Sequence, residues 1–243
     1  MDRVIHVAAV LPVFGLLLYL VSGPYLRWGL RHGPERLAPP LYVAVLLAAT
    51  VVAAVNAGGR PEELGLAMPS LAGAGPLLSI PALLLAGAIG GLVTYLGELW
   101  WQSRSVGAAA GHGGKPEGSA IRAVRAWLPN RYAFLVLGLL TAVLEEVLWR
   151  GYLLHGLRAD LWLGAALALQ AVVFGVNHLP FGPTTALAKA VSGLVWGLLA
   201  VAFHTVFAAI LAHLAFQGLA ARRLWRHSAE GGVVHAARDA LSG

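Results

Sequence analysis

Long apolar stretches, separated by short polar loops, are the feature that most constrains how this chain can fold. A bilayer core about 30 Å thick needs roughly 20 consecutive apolar residues in a helix. Seven stretches reach or approach that length, at residues 4–22, 40–57, 77–101, 132–155, 161–179, 184–201 and 203–221. They predict an all-α, polytopic transmembrane helix bundle of about seven membrane helices, with eight as the alternative.

The composition agrees with a membrane protein. Of 243 residues, 58% are hydrophobic and 12% are charged, whereas soluble domains carry about 25% charged residues. The absence of cysteine excludes disulfides, thiol catalysis and cysteine metal sites. We attribute the net charge of +6 to cytoplasmic loops that set the topology, and not to nucleic-acid binding. We therefore expect a single membrane domain over residues 1–243 in a lipid bilayer, with no nucleic-acid partner.

Positive charges are concentrated on one side of the predicted bundle. They follow the first, third and last segments, at Arg27, Arg31, Arg36, Arg104, Lys115, Arg122, Arg125, Arg131, Arg222, Arg223 and Arg226. Because cytoplasmic loops carry the excess of Lys and Arg, the N-terminus is predicted outside and the C-terminus in the cytoplasm, in a plasma (inner) membrane. Residues 102–131 are predicted to form a cytoplasmic linker with a short amphipathic helix.

Two adjacent glutamates, Glu145 and Glu146, lie inside one of the most apolar segments. A carboxylate in hydrocarbon costs roughly 2.5–3.5 kcal/mol on insertion scales, so an embedded one normally has a partner or a function. Arg150 follows Glu146 by four residues, and in a helix these two share a face, while Glu145 points about 100° away. We therefore predict a Glu146–Arg150 ion pair and a Glu145 that is free for chemistry.

Two histidines lie in later apolar segments. His178 ends one segment, and His213 and Gln217 are four residues apart on one face of another. Either histidine alone is more often a hydrogen-bonding residue between helices. As a set with Glu145, however, they predict one shared cavity in which a buried carboxylate accepts a proton from water and a histidine with an amide stabilises an oxyanion. The pattern indicates a water-activating hydrolase for an acyl bond.

Other polar residues near the membrane are predicted to be structural. Lys189 is expected to extend its amine toward the interface, and Glu98 is expected at the interface itself. Ser192 is interpreted as a small residue at a helix contact.

Two other classes of intramembrane protease are disfavoured by the residues that the chain lacks. There is no HExxH sequence, the signature of helical zinc proteases. The three aspartates lie away from the segment centres, which excludes a paired-aspartate protease; they are Asp2, Asp160 and Asp239.

Three short motifs occur in chain order: EEVLWR (Glu145–Arg150), FGVNH (Phe174–His178) and HLAFQ (His213–Gln217). They resemble the EExxxR, FxxxH and HxxxN motifs of the CAAX protease and bacteriocin-processing family, called CPBP or Abi. The resemblance covers residues 130–220, which it implies are a catalytic core. It implies a helical intramembrane protease related to the prenyl-CAAX endopeptidases.

The resemblance also implies a role for each matched residue. Glu145 would be the general base that activates water, with His178 as its partner, and His213 would contribute to the oxyanion site. Gln217 stands where the family usually has asparagine, so its amide lies one methylene farther out. The supporting residues would be Glu146, Arg150 and Phe174. No cofactor is expected; the alternative is a zinc site formed by Glu145, His178 and His213.

The sequence therefore predicts an intramembrane endopeptidase that acts on a membrane-associated or lipid-linked protein or peptide. Prenylated tails, bacteriocin leader peptides and C-terminal sorting tails are all open as substrates. Two alternatives remain: a non-catalytic immunity or scaffold protein of the same fold, and a small transporter. Against a transporter, no inverted repeat with Gly- or Pro-interrupted segments is evident. Glu145→Ala would leave the phenotype of a scaffold intact.

Overall fold

The computed structural model describes residues 37–71, 75–109 and 124–242, and every regular element within these ranges is helical. The six α-helices are α1 (Ala38–Asn56), α2 (Pro76–Ala109), α3 (Arg131–Arg158), α4 (Leu163–Asn177), α5 (Pro183–Phe203) and α6 (Phe207–Ser242). Two short 3-10 turns, Pro61–Leu64 and Leu179–Phe181, lie in the connections. The predicted all-α fold is confirmed.

The predicted number of helices is not supported, because the described ranges contain six helices and not seven or eight. Six of the seven predicted segments coincide with α1 to α6, and the segment at 4–22 lies outside the described residues. Four helices, α1, α2, α3 and α5, are long and apolar enough to cross a bilayer. The prediction of a membrane helix bundle therefore holds in its general form.

Helix α4 is apolar but has only 15 residues. At 1.5 Å per residue it is about 22 Å long, which is shorter than the hydrocarbon core of a bilayer. Trp162, just before its first residue, is 76% exposed, as expected of an anchor at the membrane interface. A helix that starts at one interface and is this short ends inside the bundle, and His178 follows its last residue.

Local sequence explains where several helices begin and end. Pro39 and Pro183 lie in the first turns of α1 and α5, where backbone N–H groups have no intrahelical partner. The side chain of Asn130 accepts a hydrogen bond of 3.1 Å from the N–H of Ala133 and so caps α3. His204 ends α5 in a left-handed conformation with φ of 54°.

Small residues let the helices approach one another closely. A Cβ atom added to Gly175 of α4 would lie 2.6 Å from the carbonyl oxygen of Ala186 in α5, and one added to Gly87 of α2 would lie 2.7 Å from Leu211 Cβ in α6. Both distances are too short for real carbon contacts, so glycine is needed at these crossings. Helices α4 with α5 and α2 with α6 therefore form tight pairs.

Helix α3 changes geometry directly after the two glutamates. Residues Arg131–Glu146 are α-helical, Val147–Leu153 form a π-helical segment, and Leu154–Arg158 return to the α-helix. π-Helical turns inside α-helices are rare and are frequent at functional sites. The segment is deeply buried, with Trp149 against the buried ring of Phe174.

The first residues of the predicted linker at 102–131 are helical in the structure. Helix α2 continues to Ala109, so the first part of this range is helical. Residues 110–123 lie outside the described residues, residues 124–125 are helical, and residues 126–130 form a turn and a bend. The linker and its amphipathic helix stay predictions.

Candidate active site

A cavity of about 420 Å³ lies between the helices, and many of the polar side chains of the bundle line it. It is lined by side chains from all six helices and from the turns around them. Its polar lining residues are Tyr42, Glu98, Thr141, Glu145, Asn177, His178, Thr185, Lys189, His213 and Gln217. The structure thus brings the four predicted catalytic residues, Glu145, His178, His213 and Gln217, to the same cavity from three helices.

The predicted ion pair between Glu146 and Arg150 is present. Arg150 Nη1 lies 2.9 Å from Glu146 Oε1, and both side chains are fully buried. The guanidinium also lies 4.1 Å from the centre of the Phe174 ring, a cation–π contact. Arg150 therefore joins the other two supporting residues of the prediction, Glu146 and Phe174.

His213 is oriented by the same glutamate. Its Nδ1 lies 2.9 Å from Glu146 Oε1, and because a carboxylate only accepts, Nδ1–H is the donor. In the neutral ring Nε2 is then an acceptor, and Gln217 Nε2 donates to it at 3.2 Å. The indole of Trp196 covers the imidazole, with ring centres 4.4 Å apart. The His213–Gln217 pair inferred from the i, i+4 spacing is thus present.

Glu145 has polar partners on other helices, and its freedom for chemistry stays a prediction. The Tyr42 hydroxyl donates a hydrogen bond to Glu145 Oε1, and Asn177 Nδ2 lies 3.5 Å from the same oxygen. The other oxygen, Oε2, lies 3.9 Å from His213 Nε2. A buried carboxylate needs compensation, and here it comes from helices other than its own.

Tyr42 and Asn177 are the site residues that the sequence reasoning missed. Tyr42 is the one tyrosine in the apolar segment 40–57, and a lone polar group in an apolar helix often hydrogen-bonds to another helix. Asn177 directly precedes His178. Both signals were present, but neither indicates which residue on another helix is contacted.

His178 lies at the cavity, where its side chain hydrogen-bonds to its own helix. Its Nδ1–H donates to the carbonyl oxygen of Phe174 at 2.9 Å, and the two rings meet edge to face with centres 4.8 Å apart. Because α4 ends at Asn177, the carbonyls of its last turn lack intrahelical donors, and the His178 side chain supplies one. Within the described part of the chain no hydrogen bond joins His178 to Glu145. The two side chains line the same cavity, and their predicted cooperation in activating water stays a prediction.

Lys189 and Glu98 form an ion pair that the sequence analysis did not predict. Lys189 Nζ lies 2.8 Å from Glu98 Oε2, with side chains only 11% and 12% exposed. The ammonium also lies 3.6 Å from the centre of the Phe216 ring. An unpaired charge in this apolar setting would be costly, and Glu98 of α2 neutralises the Lys189 ammonium.

The zinc alternative finds no support in this arrangement. Among the residues for which the structure gives positions, no three His, Asp or Glu side chains are grouped so as to hold a metal ion.

Comparison with protein families matches residues 127–219 to the family described as type II CAAX prenyl endopeptidase Rce1-like. Comparisons with curated proteins and with solved structures gave no match. The matched range nearly coincides with the core expected at 130–220 and contains all three motifs. With four helices long and apolar enough to cross a membrane, it identifies an integral membrane protein. The match over residues 127–219 supports the assignment of this part of the chain to the CPBP family of CAAX proteases.

Proposed function

We propose that this protein is an intramembrane endopeptidase that hydrolyses a peptide bond of a membrane-associated substrate with water activated by Glu145. The observation that carries the proposal is the convergence of Glu145, His178 and His213 on one cavity, from α3, the end of α4 and α6. The match to a family described as CAAX prenyl endopeptidases supports the same activity.

Glu145 acts as the base. Its Oε2 accepts a proton from a water molecule as the water oxygen attacks the carbonyl carbon of the scissile bond. The carbonyl oxygen then carries the negative charge of a tetrahedral intermediate. When this intermediate collapses, the carbon–nitrogen bond breaks, and Glu145 returns the proton to the leaving nitrogen. One water molecule is consumed, a carboxyl group and an amine are formed, and Glu145 is left as it began, so no further reactant is needed.

The two histidines and Gln217 orient the reacting groups. The neutral ring of His178 directs Nδ1–H at the Phe174 carbonyl, so its Nε2 is available as an acceptor for water. The ring of His213 directs Nδ1–H at Glu146, and its Nε2 accepts from Gln217. In this arrangement Gln217, which lines the cavity, supplies an N–H donor for the oxyanion. The Glu146–Arg150 pair fixes His213 and so fixes Gln217 indirectly.

The shape of the cavity supports a substrate with an apolar part. The cavity is lined by the polar cluster and also by apolar residues that include Leu41, Val45, Phe134, Leu137 and Leu224. A peptide that carries a lipid or a hydrophobic segment can bury that part against the apolar residues while its peptide bond meets Glu145. Prenylated tails, leader peptides and sorting tails all satisfy this description.

We further propose that the protein lies in the plasma (inner) membrane with its C-terminus in the cytoplasm. The support is the concentration of Arg and Lys in alternate loops. In this orientation α4 enters from the outer side, and the cavity lining at Trp127 and Leu224 lies toward the cytoplasm.

The proposal is tested by peptide cleavage in proteoliposomes, with a prenylated peptide ending in a CAAX sequence and a hydrophobic sorting-tail peptide as probes. Glu145→Ala is expected to lower kcat by about 10²- to 10⁴-fold, the usual contribution of a general base. The matched control is Glu62→Ala, which removes an exposed carboxylate of the loop after α1 and should leave cleavage unchanged. Wild-type cleavage that survives Glu145→Ala, His178→Ala and His213→Ala would refute the proposal.

A further inference from the structure

We propose that Tyr42 of α1 is a positioning residue for Glu145: together with Asn177 it holds one oxygen of the carboxylate and leaves the other to act as the base. The inference rests on the proposed function, because it takes Glu145 as the group that activates water. It adds to the site a residue that lies outside the matched range of 127–219.

The hydrogen bonds around Tyr42 have a fixed direction. Asn177 Nδ2 lies 2.7 Å from the Tyr42 oxygen, and an amide nitrogen only donates, so the hydroxyl oxygen is the acceptor there. The single hydroxyl hydrogen is then left for Glu145 Oε1, to which Tyr42 donates. Asn177 also approaches the same carboxylate oxygen at 3.5 Å. The three groups form a closed network that links α1, α3 and α4.

This network distinguishes the two oxygens of the carboxylate. Oε1 is occupied by Tyr42 and Asn177, whereas Oε2 lies 3.9 Å from His213 Nε2. A glutamate side chain can rotate its terminal carboxylate freely unless it is held. The network therefore restricts the carboxylate to the rotation that presents Oε2 to the space beside His213, where water must bind to be activated.

The position of Tyr42 allows the effect of its hydroxyl to be measured apart from the packing of its ring. Tyr42 lies among apolar residues of α1, half-buried, and its side chain lines the cavity. Its ring fills space that phenylalanine would fill equally well, and its hydroxyl is the part that reaches Glu145. Tyr42→Phe therefore removes one hydrogen bond and leaves the wall of the cavity in place.

The test compares kcat and KM of Tyr42→Phe with wild type, using the prenylated peptide in proteoliposomes. We expect kcat to fall by about 10- to 100-fold, the range typical of groups that orient a reacting residue, with KM changed by less than about twofold. The matched control is Tyr95→Phe, which removes a hydroxyl from a tyrosine that packs edge-on against Phe216. Tyr95→Phe should leave both constants unchanged.

A second background shows whether Tyr42 acts through Glu145. In Glu145→Asp the carboxylate is one methylene shorter and withdraws from the Tyr42 hydroxyl, so adding Tyr42→Phe should lower the residual activity by less than about twofold. Asn177→Leu, nearly the same size without the amide, should reproduce the loss in kcat. If Tyr42→Phe unfolds the protein, Asn177→Leu provides the same test.

The outcomes separate this inference from the proposed function. Cleavage that survives Glu145→Ala refutes the proposed function. If Glu145→Ala abolishes cleavage, the inference alone is overturned by any of three results for Tyr42→Phe: unchanged kcat, a raised KM with unchanged kcat, or an equal loss in the wild-type and Glu145→Asp backgrounds. A fall in kcat confined to the wild-type background supports it.

Discussion

At the scale of single residues, the neighbouring glutamates have different hydrogen-bond partners, although both lie beside His213. Glu146 binds Arg150 of its own helix and His213 of α6, and Glu145 accepts from Tyr42 of α1. The ion pair was predictable, because residues four apart in a helix share a face. The contacts with Tyr42 and His213 were not, because they depend on how separate helices pack.

The Glu146–Arg150 pair predicts a strong effect on stability. Arg150→Met leaves Glu146 buried with one partner fewer, and removing one member of a buried pair costs about 3–5 kcal/mol. Thermal unfolding followed by tryptophan fluorescence in detergent should show a large fall in Tm. The matched control is Arg60→Met, which breaks the exposed Arg60–Glu63 pair and should cost at most about 1 kcal/mol. Equal shifts for both variants would contradict this account.

At the scale of helices, length and side-chain size decide how the site is assembled. Helix α4 is too short to cross the bilayer, which leaves His178 at the cavity instead of at the far interface. The apolar pattern predicted the helix but not that His178 lies at the cavity. That position depends on where α4 starts and how it packs against the other helices. Glycines then set how closely α2, α5 and α6 approach.

Two glycines of α2 form a matched pair for a test of this packing. A Cβ atom at Gly91 would lie 2.6 Å from Ala215 Cβ of α6, whereas one at Gly97 would meet nothing within 4 Å. Gly91→Ala is expected to destabilise the protein by about 1–3 kcal/mol through overpacking. Gly97→Ala should be neutral or stabilising by up to about 1 kcal/mol, because alanine favours helix. Unfolding midpoints in one detergent measure both; a neutral Gly91→Ala would contradict the close approach.

The Lys189–Glu98 pair joins α5 to α2 and gives a second prediction at this scale. Lys189→Met leaves a buried carboxylate of α2 unpaired and should lower Tm markedly. The double variant Lys189→Met with Glu98→Leu removes both charges and should recover much of the loss, because replacing a whole buried pair is often neutral. A double variant less stable than either single one would indicate that the pair is not the interaction lost.

At the scale of the whole molecule, the orientation in the membrane remains a prediction from loop charges. The chain contains no cysteine, so single introduced cysteines report accessibility without background. In intact cells, an impermeant thiol reagent should label Glu62→Cys in the loop after α1 and should not label Pro129→Cys, just before α3. Permeabilised cells should show labelling of both. The reverse pattern in intact cells would invert the orientation.

The sequence by itself determined the helical membrane class, the Glu146–Arg150 pair and a set of polar residues that line one cavity: Glu145, His178, His213 and Gln217. These follow from apolar length, helix periodicity and short motifs, which are all local in the chain. Only the tertiary structure decided the partners of Glu145 and Lys189, and which histidine contacts Glu146. Those contacts join residues far apart in sequence. An apolar helix can present any of its faces to its neighbours until close packing and the cost of an unpaired buried charge select one.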